Sequence, residues 1–423
     1  MSMEKVISYV NTNRGNGQKE SLERLYLLLE RLGDPQKNLS FIHITGTNGK
    51  GSTASLFHAV LREAGLNVGL FTSPHLEVVN ERIRLNNEYI ADEDFIRIVE
   101  EMEPIILELE AELNENFYAF ELLTTAAFLY FQEKQPDVII LEAGIGGRLD
   151  STNVIDTADV SVITSIGIDH VKVLGNSREA IMKEKVQILK EGGHLVVGPV
   201  ETNLKDIARN WAEEVNGKLT FLDTSKIKVL SSTKDRQIFN YKDWKNVELT
   251  FLGLHQIENA CVVLEACEVL KEKGYPLSDE IIYRGLKKAT WPGRFEKVSE
   301  EPLFYIDGAH NMASVNRLVE TLEELFPNEK FHFVIGMMRD KNYQAMIEKV
   351  LHLAKEFLII SPDPYRGFDA QDVANDLINQ GYKATAFSDI KDVLTYIKKD
   401  IPKEDIVIQF GSLYLVGDIK KAI

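Results

Sequence analysis

The sequence predicts an α/β protein of two domains, each built on a mainly parallel sheet. Short apolar runs alternate with amphipathic helical patterns, the order expected when helices cross between parallel strands. A glycine-rich turn links one such run directly to a helix. The 423 residues exceed what one hydrophobic core ordinarily serves.

Phe41–Thr45 reads as a strand, followed by the glycine-rich turn and a helix. In that helix Phe57, Val60, Leu61 and Ala64 fall on one face, and Gly65 is placed to end it. Val68–Phe71, Val138–Leu141, Val160–Thr164 and His194–Val197 read as further strands. Leu219–Phe251 has short alternating runs, such as Lys226–Leu230 and Asn246–Leu252, which suggest antiparallel strands on one edge of the domain. After Trp291–Glu296 a second α/β series begins. Its strand candidates are Leu303–Ile306, Phe331–Ile335, Phe357–Ile360, Ala384–Phe387 and Ile406–Phe410. The boundary is placed between Glu296 and Lys297, giving domains 1–296 and 297–423.

Composition narrows the function classes. With 48 Lys and Arg against 65 Asp and Glu, the formal charge is −17. Such a surface repels nucleic acid and anionic lipid over long range, although a local cationic cluster can still hold an anionic ligand. Cys261 and Cys267 sit six apart on an expected helix, without metal-ligand spacing, and read as core thiols. Met1–Lys19 is polar and has no apolar signal region, and no apolar run approaches a membrane span. A cytoplasmic enzyme is the expectation.

Three motifs carry chemistry at strand ends. Thr45-Gly46-Thr47-Asn48-Gly49-Lys50-Gly51-Ser52 joins a strand to a helix. Its glycines let backbone N–H groups converge on phosphate oxygens, and Lys50 and the helix N-terminus add positive charge. Ser52 is placed to cap the helix or to approach a metal. The spacing departs from the common phosphate loop: two residues separate Gly46 from Gly49, and Gly51 follows Lys50. In Leu141-Glu142-Ala143-Gly144-Ile145-Gly146-Gly147-Arg148-Leu149-Asp150, an apolar strand delivers Glu142 to the edge where open α/β sheets bind ligands. A carboxylate there suits Mg²⁺, or it caps the next element. Gly167-Ile168-Asp169-His170 also follows a strand, and by itself His170 reads as a structural hydrogen-bonding residue. Farther along, His255–Ala260, Trp291–Glu296 and Asp307–Asn311 supply Asn, Arg, Asp and His that could converge on a nucleotide between two domains.

In this order these motifs, with Phe71-Thr72-Ser73-Pro74-His75-Leu76, resemble the folylpolyglutamate synthase branch of the Mur ligase family. The resemblance runs from about Ser40 to the C-terminus. The Lys50-Gly51-Ser52 spacing together with Ser73–Leu76 separates it from the amino-acid-adding cell-wall ligases. It implies an N-terminal P-loop-type ATPase domain and a C-terminal Rossmann-like domain. It also implies ATP-driven addition of L-glutamate to the γ-carboxylate of a reduced folate through an acyl phosphate. Glutamate addition to dihydropteroate is the alternative within the branch. Gly49, Lys50, Gly51, Ser52, Asn259, Arg294 and Asp307 would contact ATP, while Ser73, Glu142 and His170 would bind Mg²⁺. Lys185 matches a lysine carbamylated in many members, and Lys50, Lys185 and His310 are the catalytic candidates. Phe120, Glu121 and Asp150 lie in segments resembling folate-contacting regions, where Phe120 and Glu121 read equally as helix core and surface. The expected partners are reduced folate, L-glutamate and ATP, with no nucleic acid, no membrane and a monomeric chain.

Overall fold

The computed structural model describes residues 1–11, 20–339, 341–363 and 365–423; stretch 12–19 of the polar N-terminus lies outside them. The chain forms two compact units. One comprises Met1–Leu230, Ile238–Leu249 and Glu258–Thr290, the other Ser231–Gln237, Thr250–Ile257 and Trp291–Ile423. Among the described residues no helix is long and apolar enough to cross a membrane.

The first unit is organised by β1 (Phe41–Thr45), β2 (Val68–Phe71), β3 (Ile83–Leu85), β4 (Glu88–Tyr89), β5 (Val138–Glu142), β6 (Val160–Ile163), β7 (His194–Val197) and β8 (Lys218–Phe221). They form an eight-stranded sheet in the order β4-β3-β2-β5-β1-β6-β7-β8. β1 runs parallel to both neighbours, and every residue of β1 and β5 is buried. Burial on both faces is why these strands read as continuous apolar runs. β3 and β4 add an antiparallel edge too short to stand out in the sequence. The predicted face of the helix Lys50–Glu63 holds for Phe57, Val60 and Leu61, which are fully buried. Gly65 follows the helix at φ +83, a left-handed position that favours glycine.

The region 219–251 differs from expectation. β8 joins the main sheet parallel to β7. β9 (Ile227–Ser232), β10 (Gln237–Tyr241) and β11 (Trp244–Leu249) form a separate three-stranded sheet in the order β11-β10-β9. The break comes at Asp223, whose Oδ1 accepts from the Ser225 N–H at 3.1 Å and turns the chain away from β8.

The second unit holds β12 (Glu296–Glu300), β13 (Leu303–Ile306), β14 (Phe331–Ile335), β15 (Ala354–Ile360), β16 (Ala384–Phe387) and β17 (Ile406–Phe410), in the order β12-β13-β17-β14-β15-β16. Only β12 is antiparallel to its neighbour. Phe331, Phe333, Phe357 and Phe410 fill its core. The expected boundary at Glu296 falls inside this unit. Phe295 stacks on Tyr305 at 4.6 Å, and its N–H donates to Asp307 at 2.8 Å, so Trp291–Glu296 packs with β13.

At the start of the β14–β15–β17 strands, His332 lies between two carboxylates. Nδ1 meets Glu356 Oε1 at 2.6 Å and Nε2 meets Asp405 Oδ2 at 2.7 Å. Lys383 pairs with Glu356 and Lys355 with Asp405. Burial disfavours the imidazolium, but the two carboxylates outweigh it and raise the His332 pKa above 6.5. Burial likewise opposes ionisation of Glu356 and Asp405, and their cationic partners hold both below the usual carboxylate range. The stabilisation from protonated His332 is therefore complete below pH 6.5 and lost as pH rises through its raised pKa. That from the carboxylates is lost as pH falls through their lowered values. His332→Gln should cost about 3 kcal/mol at pH 6, less as the pH climbs, in denaturant melts. A wild-type-minus-variant difference independent of pH would contradict this.

Candidate active site

The glycine-rich loop leaves the C-terminal end of β1 between β5 and β6. The Thr47 N–H donates to the Ser165 carbonyl at 2.9 Å, and the Thr164 hydroxyl donates to the Asn48 carbonyl at 2.6 Å. Thr47 Oγ1 also accepts from the Gly167 N–H at 2.9 Å, joining the loop to the Gly167–His170 motif. Two glycines are sterically required. A β carbon at Gly46 would collide with the Thr164 hydroxyl. Gly49, at φ +86, is the N-cap of Lys50–Glu63, and a β carbon there would sit 2.6 Å from Asn259 Oδ1. Asn259 is thus brought against the loop although it lies far along the chain. The helix has no side-chain cap, so its first N–H groups lack helical acceptors and suit an anion. Ser52 is not the cap: it sits inside the first turn and is buried.

Two lysines converge on one backbone oxygen. Lys50 Nζ donates to the Gly46 carbonyl at 3.1 Å and Lys185 Nζ donates to it at 2.9 Å. Lys185 is 3% exposed and ends the helix Arg178–Lys185. Burial, and next the Lys50 charge, lower its pKa to about 7, against the partial opposition of Asp150 and Asp169.

The second motif packs between two supports. At Gly144 a β carbon would lie 2.8 Å from Phe120 Cε1, and at Gly147 one would lie 2.6 Å from the Glu184 carbonyl. The glycines therefore let the loop contact the Phe120 ring and the helix that carries Lys185. Glu142, the last residue of β5, is 3% exposed, and its Oε2 lies 3.4 Å from the Ser73 N–H that donates to it.

In the second unit, Asp307 follows β13. It accepts from the Phe295 and Ala309 N–H groups, each at 2.8 Å. Burial raises its pKa, with Arg294 opposing. His310 Nδ1–H donates to the Gly308 carbonyl at 2.8 Å, which makes Nε2 the lone-pair nitrogen of the neutral ring. Arg294 Nη1 donates to the Gly293 carbonyl at 3.1 Å, and a β carbon on Gly308 would collide with it.

Residues 44–267 match the Mur ligase middle domain, and 293–413 match the Mur ligase glutamate ligase domain. The chain is 37% identical to a Bacillus subtilis dihydrofolate synthase/folylpolyglutamate synthase, covering 98% of each chain. The chain belongs to the folylpolyglutamate synthase/dihydrofolate synthase branch of the Mur ligase family. Among solved structures, a folylpolyglutamate synthase from Thermotoga maritima superposes with a TM-score of 0.86 at 34% identity, covering 99% of this chain and 96% of that one. A structure described as an FPGS–AMPPCP–folate complex gives 0.85 at 30% identity, with coverage of 100% and 99%.

In this Mur ligase branch, two of the expected folate residues have their carboxylates engaged by other groups of the chain. Glu121 is fully buried, and its carboxylate caps the Tyr118 N–H at 2.8 Å and pairs with Arg24 at 2.9 Å. Asp150 is 4% exposed and uses both oxygens internally: Oδ1 accepts from the Thr152 N–H and hydroxyl, and Oδ2 from the Ile145 N–H. Phe120 stays half-buried at the loop edge. For Mg²⁺, the Ser73 N–H donates to Glu142, which brings the two residues together, and the cation takes few protein ligands beside phosphate and water. His170 is exposed, at φ +50, where it precedes the helix Val171–Leu174. Among the described residues no group of three or more His, Cys, Asp or Glu is arranged to hold a metal. By chemistry, the Glu142 carboxylate and the Ser73 hydroxyl are hard oxygen groups of the kind that suits Mg²⁺.

Other residues of the site carried no sequence signal. His43 Nε2 lies 2.8 Å from Thr152 Oγ1, which donates to Asp150, so a buried neutral histidine in β1 braces the second motif. Arg82 Nε donates to His75 Nδ1 at 2.9 Å and its carbonyl accepts from the Thr72 N–H at 3.0 Å, spanning the Ser73 segment. A histidine inside an apolar strand was the one available hint. The Lys185 result is directly measurable. NMR of ¹³Cε-labelled lysine should show one resonance titrating near pH 7, absent in Lys185→Met. Titration of every lysine near 10.5 would contradict the buried pair.

Proposed function

We propose that this chain is an ATP-dependent acid–amino-acid ligase that adds L-glutamate to the γ-carboxylate of reduced folates, releasing ADP and phosphate. The loop carries the reading: an uncapped helix start, with Lys50 and Lys185 on one carbonyl, in a chain similar along 98% of its length to a dihydrofolate synthase/folylpolyglutamate synthase. The solved relative with AMPPCP and folate supports the same substrate classes.

Phosphoryl transfer depends on positioning and charge neutralisation more than on covalent help from the protein. The N–H groups of Gly49–Ser52 hold phosphate oxygens, and Lys50 leaves Gly46 to neutralise the transferring phosphate. Asn259, Arg294 and Asp307 are the further nucleotide residues. Ser73, Glu142 and His170 would hold Mg²⁺, which would offset phosphate charge when bound. The folate γ-carboxylate attacks the γ-phosphorus and ADP leaves, giving an acyl phosphate. The glutamate α-amine then attacks the acyl carbon, and phosphate leaves from the tetrahedral intermediate. Lys185, with its pKa lowered to about 7, keeps an unprotonated fraction at neutral pH. That is the form an amine needs to take up CO₂ as a carbamate. His310 orients phosphate or glutamate. Two buried, free cysteines accord with a cytoplasmic setting.

The alternative, glutamate addition to dihydropteroate, is supported by the Bacillus relative's double name. The test is phosphate release from ATP across a substrate panel. Release should require glutamate together with tetrahydrofolate, and product with dihydropteroate would establish the second activity. Release independent of both the pteridine and glutamate would sink the ligase reading.

A further inference from the structure

We infer that Arg24 is a positioning residue for the aryl platform of the proposed folate site, acting through Glu121 on Phe120. The inference rests on the proposed function and on taking Phe120, from the segment that resembles folate-contacting regions, as that platform. Phe120 and Glu121 are consecutive in the first turn of the helix Ala119–Lys134. The Phe120 ring lies over Gly144 and 5.7 Å from the Phe71 ring, tilted by 35°. It is packed on one side by the second motif and only partly buried. Glu121 has no exposed surface. Its orientation therefore determines how the same turn presents Phe120.

Glu121 is held from a different part of the chain. Arg24 Nη2 lies 2.9 Å from Glu121 Oε2, and Nε lies 3.1 and 3.2 Å from the two oxygens. The Arg24 guanidinium also lies over the Tyr118 ring, 4.3 Å from its centroid. Tyr118 is the N-cap residue of that helix. Arg24 thus grips the residues on both sides of the Phe120 turn. Its own helix, Glu23–Arg31, is anchored by buried Leu25, Leu28 and Leu29. A buried carboxylate stripped of its cation would have to move or be hydrated, and either change shifts the turn. The exposed contact of Arg24 with Glu115 at 3.4 Å is screened by water and adds little.

A pair that only stabilised the fold would lower active enzyme without singling out one substrate. A pair that places the platform acts on the folate alone. Steady-state kinetics with tetrahydrofolate and ATP separate the two. Arg24→Met should raise the tetrahydrofolate KM about tenfold, with kcat and the ATP KM within about twofold of wild type. Arg24→Lys should recover part of the loss, since it restores the charge without the planar fork. The double variant Arg24→Met/Glu121→Gln removes the orphaned carboxylate and carries the test if Arg24→Met alone does not fold. An unchanged tetrahydrofolate KM in these variants overturns the inference, as do equal losses in kcat and both KM values. Phe120→Ala distinguishes the two levels. An unchanged tetrahydrofolate KM there removes the platform reading and the inference with it. A raised KM there, with none in the Arg24 variants, removes the inference only.

Discussion

The carbonyl of Gly46 accepts from two ammonium groups at once, and much of the first unit is arranged around that fact. Two cations on one oxygen repel, and burial makes the repulsion stronger. Burial first, and the Lys50 charge next, lower the pKa of Lys185, the more deeply buried of the pair. The arrangement needs Gly46 to approach Thr164 more closely than any side chain permits. It also needs the helix ending in Lys185 to lie against Gly147. An anion brought to the loop would resolve the repulsion, since Lys50 can exchange a backbone carbonyl for a phosphate oxygen.

Buried carboxylates do the structural work around this centre. Glu121 fixes a helix start, Asp150 fixes the second glycine loop, and Glu142 stands beside Ser73. Each sits within a segment that the family resemblance associates with ligand. Of the three, only Glu142 stands beside another residue expected at the cation, Ser73, whose N–H donates to it. For Glu121 and Asp150, hydrogen bonds inside the protein engage both carboxylate oxygens. The same negative charge that marks a site in sequence is therefore also engaged by the fold.

The parts legible in the sequence were those that local backbone rules govern. The loop Thr45–Ser52 announces itself because left-handed and close-approach positions admit little but glycine. The parallel strands announce themselves because burial on both faces leaves an unbroken apolar run. The rest depended on partners remote in the chain. Nothing near Glu121 indicates that Arg24 will neutralise it, and nothing near Gly49 indicates that Asn259 will abut it. The region 219–251 misled for a related reason: alternation reveals a half-exposed strand but not which sheet it joins. The expected domain boundary erred by including Trp291–Glu296 with the first unit, because the Phe295–Tyr305 stack is invisible until both residues are placed.

The central claim is that a substrate carboxylate is phosphorylated by ATP before the amine attacks. It is tested most directly with tetrahydrofolate labelled with ¹⁸O in its γ-carboxylate. In a complete reaction with ATP and glutamate, the account predicts that the released phosphate carries one ¹⁸O from the folate. Phosphate free of the label, with amide product formed, would contradict it.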